Sequence, residues 1–105
     1  MAETPLFIRQ AADIWSDSER EAFIDFIANN PDAGDVIPDT GGVRKVRWKV
    51  AGTGKRGGAR VIYLFRNAGQ PIYLLMIYAK ARREDMTAQE KRIVRRLAAT
   101  LKAQR

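Results

Sequence analysis

The chain has 105 residues, of which 46% are hydrophobic, and it carries a formal net charge of +7. This length predicts one domain, residues 1–105, built around one modest hydrophobic core. The sequence contains no cysteine and no histidine, which excludes disulfide bonds and removes the commonest metal ligands and the commonest general base. Any catalysis therefore depends on Lys, Arg, Asp, Glu, Tyr, Ser or Thr, and we expect no metal and no cofactor.

Acidic and basic residues are separated along the chain. Residues 1–42 hold two basic residues against nine acids, whereas residues 43–83 hold eleven Lys or Arg and no Asp or Glu. A long stretch of unopposed positive charge repels itself, and binding of a polyanion relieves that repulsion. A solvated basic face kept for solubility is the simpler alternative.

No part of the chain reads as a membrane or export signal. The first five residues contain an acid and no basic group, and the apolar run at 72–79 is far shorter than the roughly 20 residues that span a bilayer. We therefore expect a cytoplasmic protein without membrane contact.

The first elements in chain order are an edge strand and a helix. Residues 6–8 form an apolar run that suggests a short strand. A helix then starts at Ser16 or at Ser18, since each has a glutamate three residues later in the pattern of a capping box. Pro31 ends this helix, and residues 32–42 are turn-forming throughout.

Three strands and a final helix follow. Strands are predicted at 43–50, 59–66 and 72–79, the last one apolar on both faces as in a covered central strand. A capping box at Thr87 and Glu90 opens a helix whose apolar residues recur at helical spacing up to Leu101. The predicted fold class is α+β: an antiparallel sheet with helices packed against it.

The candidate site lies on these strands. Alternation places Lys45, Arg47 and Lys49 on one face, about 6.5–7 Å apart, close to the spacing of successive phosphates along a nucleic-acid strand. A glycine-rich loop adds Lys55 and Arg56. Taken alone, such a row is also typical of a solvated edge strand, but the neighbouring cations and the lack of acids favour an RNA site.

Several separate segments of the sequence resemble the RelE superfamily of bacterial toxins, with the HigB-like branch as the nearest match. The segments are Gly34-Asp35-Val36-Ile37, Thr40-Gly41-Gly42-Val43-Arg44-Lys45-Val46-Arg47, Gly54-Lys55-Arg56-Gly57-Gly58-Ala59-Arg60-Val61-Ile62-Tyr63, Tyr73-Leu74-Leu75 and Ile77-Tyr78-Ala79-Lys80. The resemblance covers roughly residues 5–100, and it implies that the antiparallel sheet is twisted and carries its helices packed on one face.

The resemblance implies a toxin of a type II toxin–antitoxin pair that enters the ribosomal A site and cleaves messenger RNA there. It also implies a cognate antitoxin, which for this branch is a HigA-like helix-turn-helix protein, and a toxin that is monomeric when alone. By position it implies four catalytic residues: Lys45, Arg47, Arg60 and Lys80. The other cations of the segment are expected to bind RNA: Arg44, Lys49, Lys55, Arg56, Arg82 and Arg83.

The chain departs from the family pattern after the last strand. The best-known branch has an arginine directly after the lysine and a tyrosine several residues later, where this chain has Ala81 and Thr87 or a neighbour. Arg82, Arg83 and Tyr78 are the alternatives for the missing role, which leaves the general acid open.

For the RNA cleavage that the resemblance implies, we expect a metal-independent attack of the RNA 2′-hydroxyl on the adjacent phosphate. Arg60 is the choice for phosphate stabilisation, because guanidinium binds phosphate bidentately and keeps its charge. Lys80, and after it Lys45, are the choices for proton transfer. The main alternative function is a non-catalytic RNA- or ribosome-binding module; a DNA-binding regulator lacks an evident helix-turn-helix.

Overall fold

The computed structural model describes residues 1–49, 58–80, 82 and 85–103. Within these ranges the chain forms, in order, β1 (Ala2–Glu3), α1 (Pro5–Ile14), α2 (Asp17–Asn29), β2 (Asp35–Val36), β3 (Val43–Trp48), β4 (Ala59–Leu64), β5 (Tyr73–Ala79) and α3 (Ala88–Ala103). The strands make one sheet in the order β1-β5-β4-β3-β2. The predicted α+β class is confirmed.

The sheet is mixed, whereas we predicted a wholly antiparallel one. Strands β2 to β5 pair antiparallel, but β1 pairs parallel with β5. The N–H of Thr4 continues this pairing by donating to Leu74 O at 3.0 Å, and Glu3 accepts hydrogen bonds from the Arg20 guanidinium of α2. Because β1 and β5 are distant in the chain, no hairpin turn sets their relative direction, and sequence patterning did not reveal the pair.

The helices cover both faces of the sheet, which corrects the expectation of helices on one face. Buried side chains of α1 and α2, such as Phe7 and Phe23, join one core cluster with Val61 and Tyr63 of β4. Val94 and Ala98 of α3 join a second cluster. Since β4 and β5 are apolar on both faces, each face needs its own cover. No helix in the described ranges is long and apolar enough to cross a membrane.

Residues 6–8 belong to α1, so the predicted edge strand there is wrong. Thr4 is the N-cap, its hydroxyl accepts from Phe7 N at 3.0 Å, and Pro5 occupies the first helical position. Phe7 and Ala11 are 0% and 1% exposed, a four-residue spacing that fits one buried helical face. The Thr-Pro start is a helix signal that outweighs a three-residue apolar run.

The second helix begins at the first of its two predicted starts. Ser16 N donates to Glu19 Oε1 at 2.9 Å and Glu19 N donates to Ser16 Oγ at 3.2 Å, which completes a capping box. The helix ends at Asn29, directly before Asn30 and Pro31, as predicted. The final helix likewise follows its predicted cap, because Glu90 N donates to Thr87 Oγ1 at 3.0 Å.

The segment at 32–42 contains a short strand in addition to the predicted turns. Asp35 and Val36 pair with Lys45 and Arg44 of β3. The turn that follows depends on residues with positive φ, namely Asp39 at 62°, Gly41 at 78° and Gly42 at 105°. Glycine has no steric penalty in this region, so the Gly41-Gly42 pair turns the chain into β3 at low cost.

The three predicted strands form with shorter bounds at 43–48, 59–64 and 73–79. Val46 is buried, and the Trp48 ring packs against Phe23 and Phe26 at centroid distances of 5.3 and 5.0 Å, so both side chains lie on the core side of β3. Residues 50–57, which carry the predicted glycine-rich loop apart from Gly58, lie outside the described residues.

The loop after α2 is fastened to the sheet by two side chains. The Tyr63 hydroxyl donates to Pro31 O at 2.8 Å and accepts from Gly34 N at 2.9 Å. Arg44 Nη1 donates to Gly34 O at 2.7 Å. A Cβ at Gly34 would lie 2.8 Å from Lys45 O, so the loop approaches β3 closely enough that only glycine fits. These contacts fix β2 as the sheet edge beside the candidate site.

The change Tyr63→Phe leaves the buried Gly34 N–H and the Pro31 carbonyl without their partner. We expect the free energy of unfolding to fall by about 1–3 kcal/mol, because a buried polar group that loses its hydrogen bond bears the full desolvation cost. Urea unfolding measures the loss. The control Tyr73→Phe, at a half-buried position, should change stability by less than about 0.5 kcal/mol; equal effects of the two variants would contradict this role of Tyr63.

Candidate functional site

The pairing register places two arginines and a tyrosine in one row across three strands. Arg47 of β3 stands opposite Arg60 of β4, and Arg60 stands opposite Tyr78 of β5. Side chains of directly opposed residues point to the same face, with Cβ atoms about 4.5–5.5 Å apart. The predicted convergence of Arg47 and Arg60 is therefore present in the structure.

Two lysines flank this row from the neighbouring strands. Lys45 lies two residues before Arg47, on the same face of β3. Lys80 follows β5 two residues after Tyr78, and its N–H donates to Gly58 O at 3.0 Å, which extends the strand pairing by one position. Strand periodicity gives Lys80 the parity of Tyr78. Arg60 on β4 thus lies between Lys45, on the neighbouring strand β3, and Lys80, at the end of the other neighbouring strand, β5.

Exposure along this face divides it into a covered half and an accessible half. At one end Val43, Ile62 and Leu64 are 0% exposed and pack in the cluster that includes α3. At the other end Arg47 is exposed, whereas Arg60 and Lys80 are half-buried. Tyr78 is only 3% exposed, so its ring forms the floor of the row. The accessible surface is therefore mainly cationic.

A glycine closes the hairpin that carries the two arginines. Gly58 has φ of 63°, and a Cβ at this position would overlap the carbonyl oxygen of Trp48. A side chain there would push β3 and β4 apart directly beside Arg47 and Arg60. Gly58, which belongs to the quoted GKRGG segment, thus has a structural reason to be glycine.

One carboxylate reaches the edge of the cationic surface. Asp85, just before α3, lies 3.9 Å from the Lys45 ammonium and 3.3 Å from the Lys91 ammonium. Its Oδ1 also accepts from Met86 N at 2.7 Å. Burial raises the pKa of Asp85, but the hydrogen bonds from Met86 and Lys91 and the charge of Lys45 outweigh burial and lower this pKa overall.

Three of the predicted RNA-binding residues are described, and they do not all share one face. Arg44 points to the opposite face, where it donates to the carbonyls of Asp32 and Gly34 and thereby stabilises the loop after α2. Lys49 is exposed directly after β3. Arg82 is exposed and lines a cavity of about 230 Å³ with Gln10 and Asp13 of α1. Lys55, Arg56 and Arg83 lie outside the described residues.

Sequence reasoning missed the part of Asp85 in this surface. The only signal in the sequence was its place, since Glu84 and Asp85 are the first acids after a 41-residue stretch without any. The partner of Asp85 on β3 is 40 residues away in the chain, and such a contact follows only from how α3 packs on the sheet.

The arrangement fits a phosphate ester better than other ligands. Two guanidiniums side by side bind phosphate oxygens through charge-assisted hydrogen bonds, and lysines on either side provide further charge and transferable protons. In an in-line displacement the attacking and leaving oxygens lie on opposite sides of phosphorus. Groups flanking a central phosphate-binding arginine on both sides match that requirement.

Comparison with protein families shows which family the chain belongs to. A family model described as the RelE toxin of the RelE/RelB toxin–antitoxin system matches residues 15–105. The chain belongs to the RelE toxin family. This confirms the resemblance stated from the sequence, and the HigB-like branch within the superfamily stays a prediction.

Membership in the RelE family carries two consequences. The chain is the toxin component of a toxin–antitoxin system, so it has a cognate antitoxin as a partner, and RelE family toxins are generally ribonucleases. The match includes every strand of the candidate row and begins directly after α1. The family assignment therefore rests on the part of this chain that carries Arg47, Arg60 and Lys80.

Alanine substitutions of Arg44 and Arg47 should distinguish an arginine that stabilises the fold from one that binds RNA. Arg44→Ala removes hydrogen bonds to Asp32 O and Gly34 O and should lower the free energy of unfolding by about 1 kcal/mol. Arg47→Ala should change stability by less than about 0.5 kcal/mol but weaken RNA binding, and it should reduce the salt slope of binding by about 0.7, the share of one phosphate. Urea unfolding and RNA titrations at several salt concentrations measure both; a larger salt-slope change for Arg44→Ala would contradict the assignment.

The Asp85 contacts should make stability depend on pH in the acid range. The pKa of Asp85 is lowered in the folded chain, so its contribution to stability is present above the unfolded pKa of about 3.9 and is lost as the pH falls through the folded value. We expect wild type to exceed Asp85→Asn in unfolding free energy at pH 6 and the difference to shrink below pH 4. Urea unfolding from pH 3 to pH 7 tests this; a constant difference across that range would argue against it.

Proposed function

We propose that this RelE-family toxin is an endoribonuclease that cuts messenger RNA in the ribosomal A site and thereby stops translation. The observation that carries the proposal is the row Arg47–Arg60–Tyr78 with Lys45 and Lys80 on its two sides. These cations occupy an accessible face within a sequence stretch that has no acid. A ribosomal target places the protein in the cytoplasm.

The proposed reaction is an internal phosphoryl transfer. The RNA 2′-oxygen gives its proton to a base and attacks the adjacent phosphorus, the bond from phosphorus to the 5′-oxygen breaks, and the departing 5′-oxygen takes up a proton. The products are a 2′,3′-cyclic phosphate and a free 5′-hydroxyl, so atoms and charge balance without a metal or another reactant.

Each cation has a role in this scheme. Arg60, central in the row, binds the phosphate and stabilises the additional negative charge of the phosphorane. Lys80 and Lys45, on opposite sides of Arg60, serve as the proton-transfer groups: one, as a neutral amine, takes the proton of the 2′-oxygen, and the other, as an ammonium, gives a proton to the 5′-oxygen. Arg47 holds an adjacent phosphate. Of the alternatives for the missing role, Tyr78 is only 3% exposed, and Arg82 is exposed at a cavity that both residues line together with Asp13 of α1.

Orientation of the RNA supplies much of the rate in this proposal. When the 2′-oxygen is already held in line with the scissile bond, the entropic cost of reaching that geometry no longer adds to the reaction barrier. The ribosomal A site presents a codon in a fixed, extended form. This explains how a surface without histidine suffices for cleavage, and it predicts weak activity on free RNA.

The proposed protein partner is the antitoxin. The antitoxin is expected to be a HigA-like helix-turn-helix protein, and the toxin alone is expected to be a monomer. An antitoxin that covers the row must present acidic groups to it, because burial of unpaired guanidiniums is costly.

A non-catalytic RNA- or ribosome-binding module is the second candidate. The observation that favours it is Ala81, which replaces the arginine found in the best-known branch directly after the last-strand lysine. The same cationic row would then bind RNA without cutting it.

Mapping of messenger RNA 5′ ends in a translating bacterial extract distinguishes the two candidates. Wild type should produce cuts in phase with codons, and Arg60→Ala and Lys80→Ala should each lower the cutting rate by about 10²–10³-fold, as loss of a charge-stabilising donor does. Arg9→Ala, an exposed arginine of α1, is the matched control and should cut like wild type. Stalled translation with intact messages would leave the binding module as the function.

A comparison of binding with cleavage tests the role of Arg60 itself. Arg60→Ala should lose far more cleavage rate than affinity for RNA, since its contacts strengthen in the phosphorane. Affinity is measured by titration of labelled RNA and the rate by single-turnover cleavage on programmed ribosomes. Equal losses in both would remove Arg60 from the phosphate-stabilising role.

A further inference from the structure

We infer that Asp85 is a positioning residue that holds the Lys45 side chain at the cleavage site, an inference that rests on the proposed ribonuclease function. Asp85 stands at the junction between the segment after β5 and the start of α3. Its carboxylate joins β3, through Lys45, to α3, through Lys91. No part of the mechanism proposed above uses this carboxylate.

The carboxylate has its own anchors and does not depend on Lys45 for its place. Met86 N donates to Oδ1 at 2.7 Å, and the Lys91 ammonium lies 3.3 Å from Oδ2. Lys45 approaches Oδ1 at the longer distance of 3.9 Å. The backbone and α3 therefore fix Asp85, and Asp85 in turn attracts a lysine that lies across the sheet surface.

Lys45 needs such a partner because of its side chain and its neighbours. A lysine has a flexible four-carbon stem and loses much rotamer entropy when it is held in one place. Lys91 and Arg47 both repel its ammonium. A carboxylate between Lys45 and Lys91 offsets this repulsion and holds the Lys45 ammonium at the edge of the cationic surface.

A second acid beside Lys45 does not take this part. Asp35 of β2 stands opposite Lys45 in the pairing register and is exposed. Among the described residues, the ion pair of Lys45 is with Asp85. Asp35→Asn removes one negative charge beside Lys45, as Asp85→Asn does, but leaves the ion pair intact, and it is therefore a matched control.

A purely structural role of Asp85 in fastening α3 is the competing explanation. Thr87→Ala provides the control for it, because it removes the hydroxyl that accepts from Glu90 N at the same helix start without touching Lys45. If Asp85 only fastens α3, the two variants should affect activity alike.

Kinetics of ribosome-dependent cleavage decide between these roles. Asp85→Asn should lower kcat about 10-fold to 10²-fold, as expected for a misplaced reacting group, and leave KM equal or lower, because the RNA then meets one negative charge fewer. Asp85→Glu should restore part of kcat. Asp35→Asn and Thr87→Ala should keep kcat within about twofold of wild type.

A double-mutant cycle tests whether Asp85 acts through Lys45. In a Lys45→Met background, Asp85→Asn should cause no further loss of kcat, since the group that it positions is absent. Additive losses, or a loss of kcat in Thr87→Ala as large as in Asp85→Asn, would overturn the inference.

NMR relaxation of the Lys45 ε-methylene gives a measurement that does not require cleavage. We expect this group to become more mobile in Asp85→Asn and to stay ordered in Asp35→Asn and Thr87→Ala. Unchanged mobility in Asp85→Asn would overturn the inference. If wild type cuts no message, the ribonuclease proposal fails, while the mobility comparison still decides whether Asp85 holds Lys45.

Discussion

The hydrogen-bond register of β3, β4 and β5 is the constraint on which the rest of this molecule depends. It aligns Arg47, Arg60 and Tyr78 across three strands, and a slip of any one strand by one residue would move that strand's member of the row to the opposite face. The register is held by apolar residues on both faces of β4 and β5, which are covered by different helices. The positions of the cations are thus set by a hydrophobic core of which they are not part.

This arrangement concentrates like charge on one surface, which costs stability. The chain limits that cost by covering the apolar half of the face with α3 and leaving the cationic half accessible to solvent, where screening is strong. Asp85 is the acid that pairs with Lys45 among the described residues, and it belongs to the segment that leads into α3. The helix therefore completes the core and also brings a carboxylate to the border of the site.

Much of the fold followed from local signals. The Ser16–Glu19 and Thr87–Glu90 capping boxes marked two helices, alternation marked two strands, and a continuous apolar run marked the third, because caps and side-chain patterns act over a few residues. The strand proposed at residues 6–8 was wrong because a three-residue apolar run carries little periodicity, whereas the Thr4–Pro5 helix start was the stronger local signal. The parallel pairing of β1 with β5 had no local signal at all.

The sequence by itself determined the chemical character of this protein: a chain without histidine or cysteine, with its positive charge gathered in one acid-free stretch, and with motifs that resemble the RelE toxins. Only the tertiary structure decided which cations share a surface. It placed Arg47 and Arg60 side by side, turned Arg44 to the opposite face as a fastening for the loop after α2, and brought Asp85 to Lys45. The reason is physical: composition and periodicity are properties of neighbours in the chain, whereas pairing register and helix packing are set by contacts between distant segments.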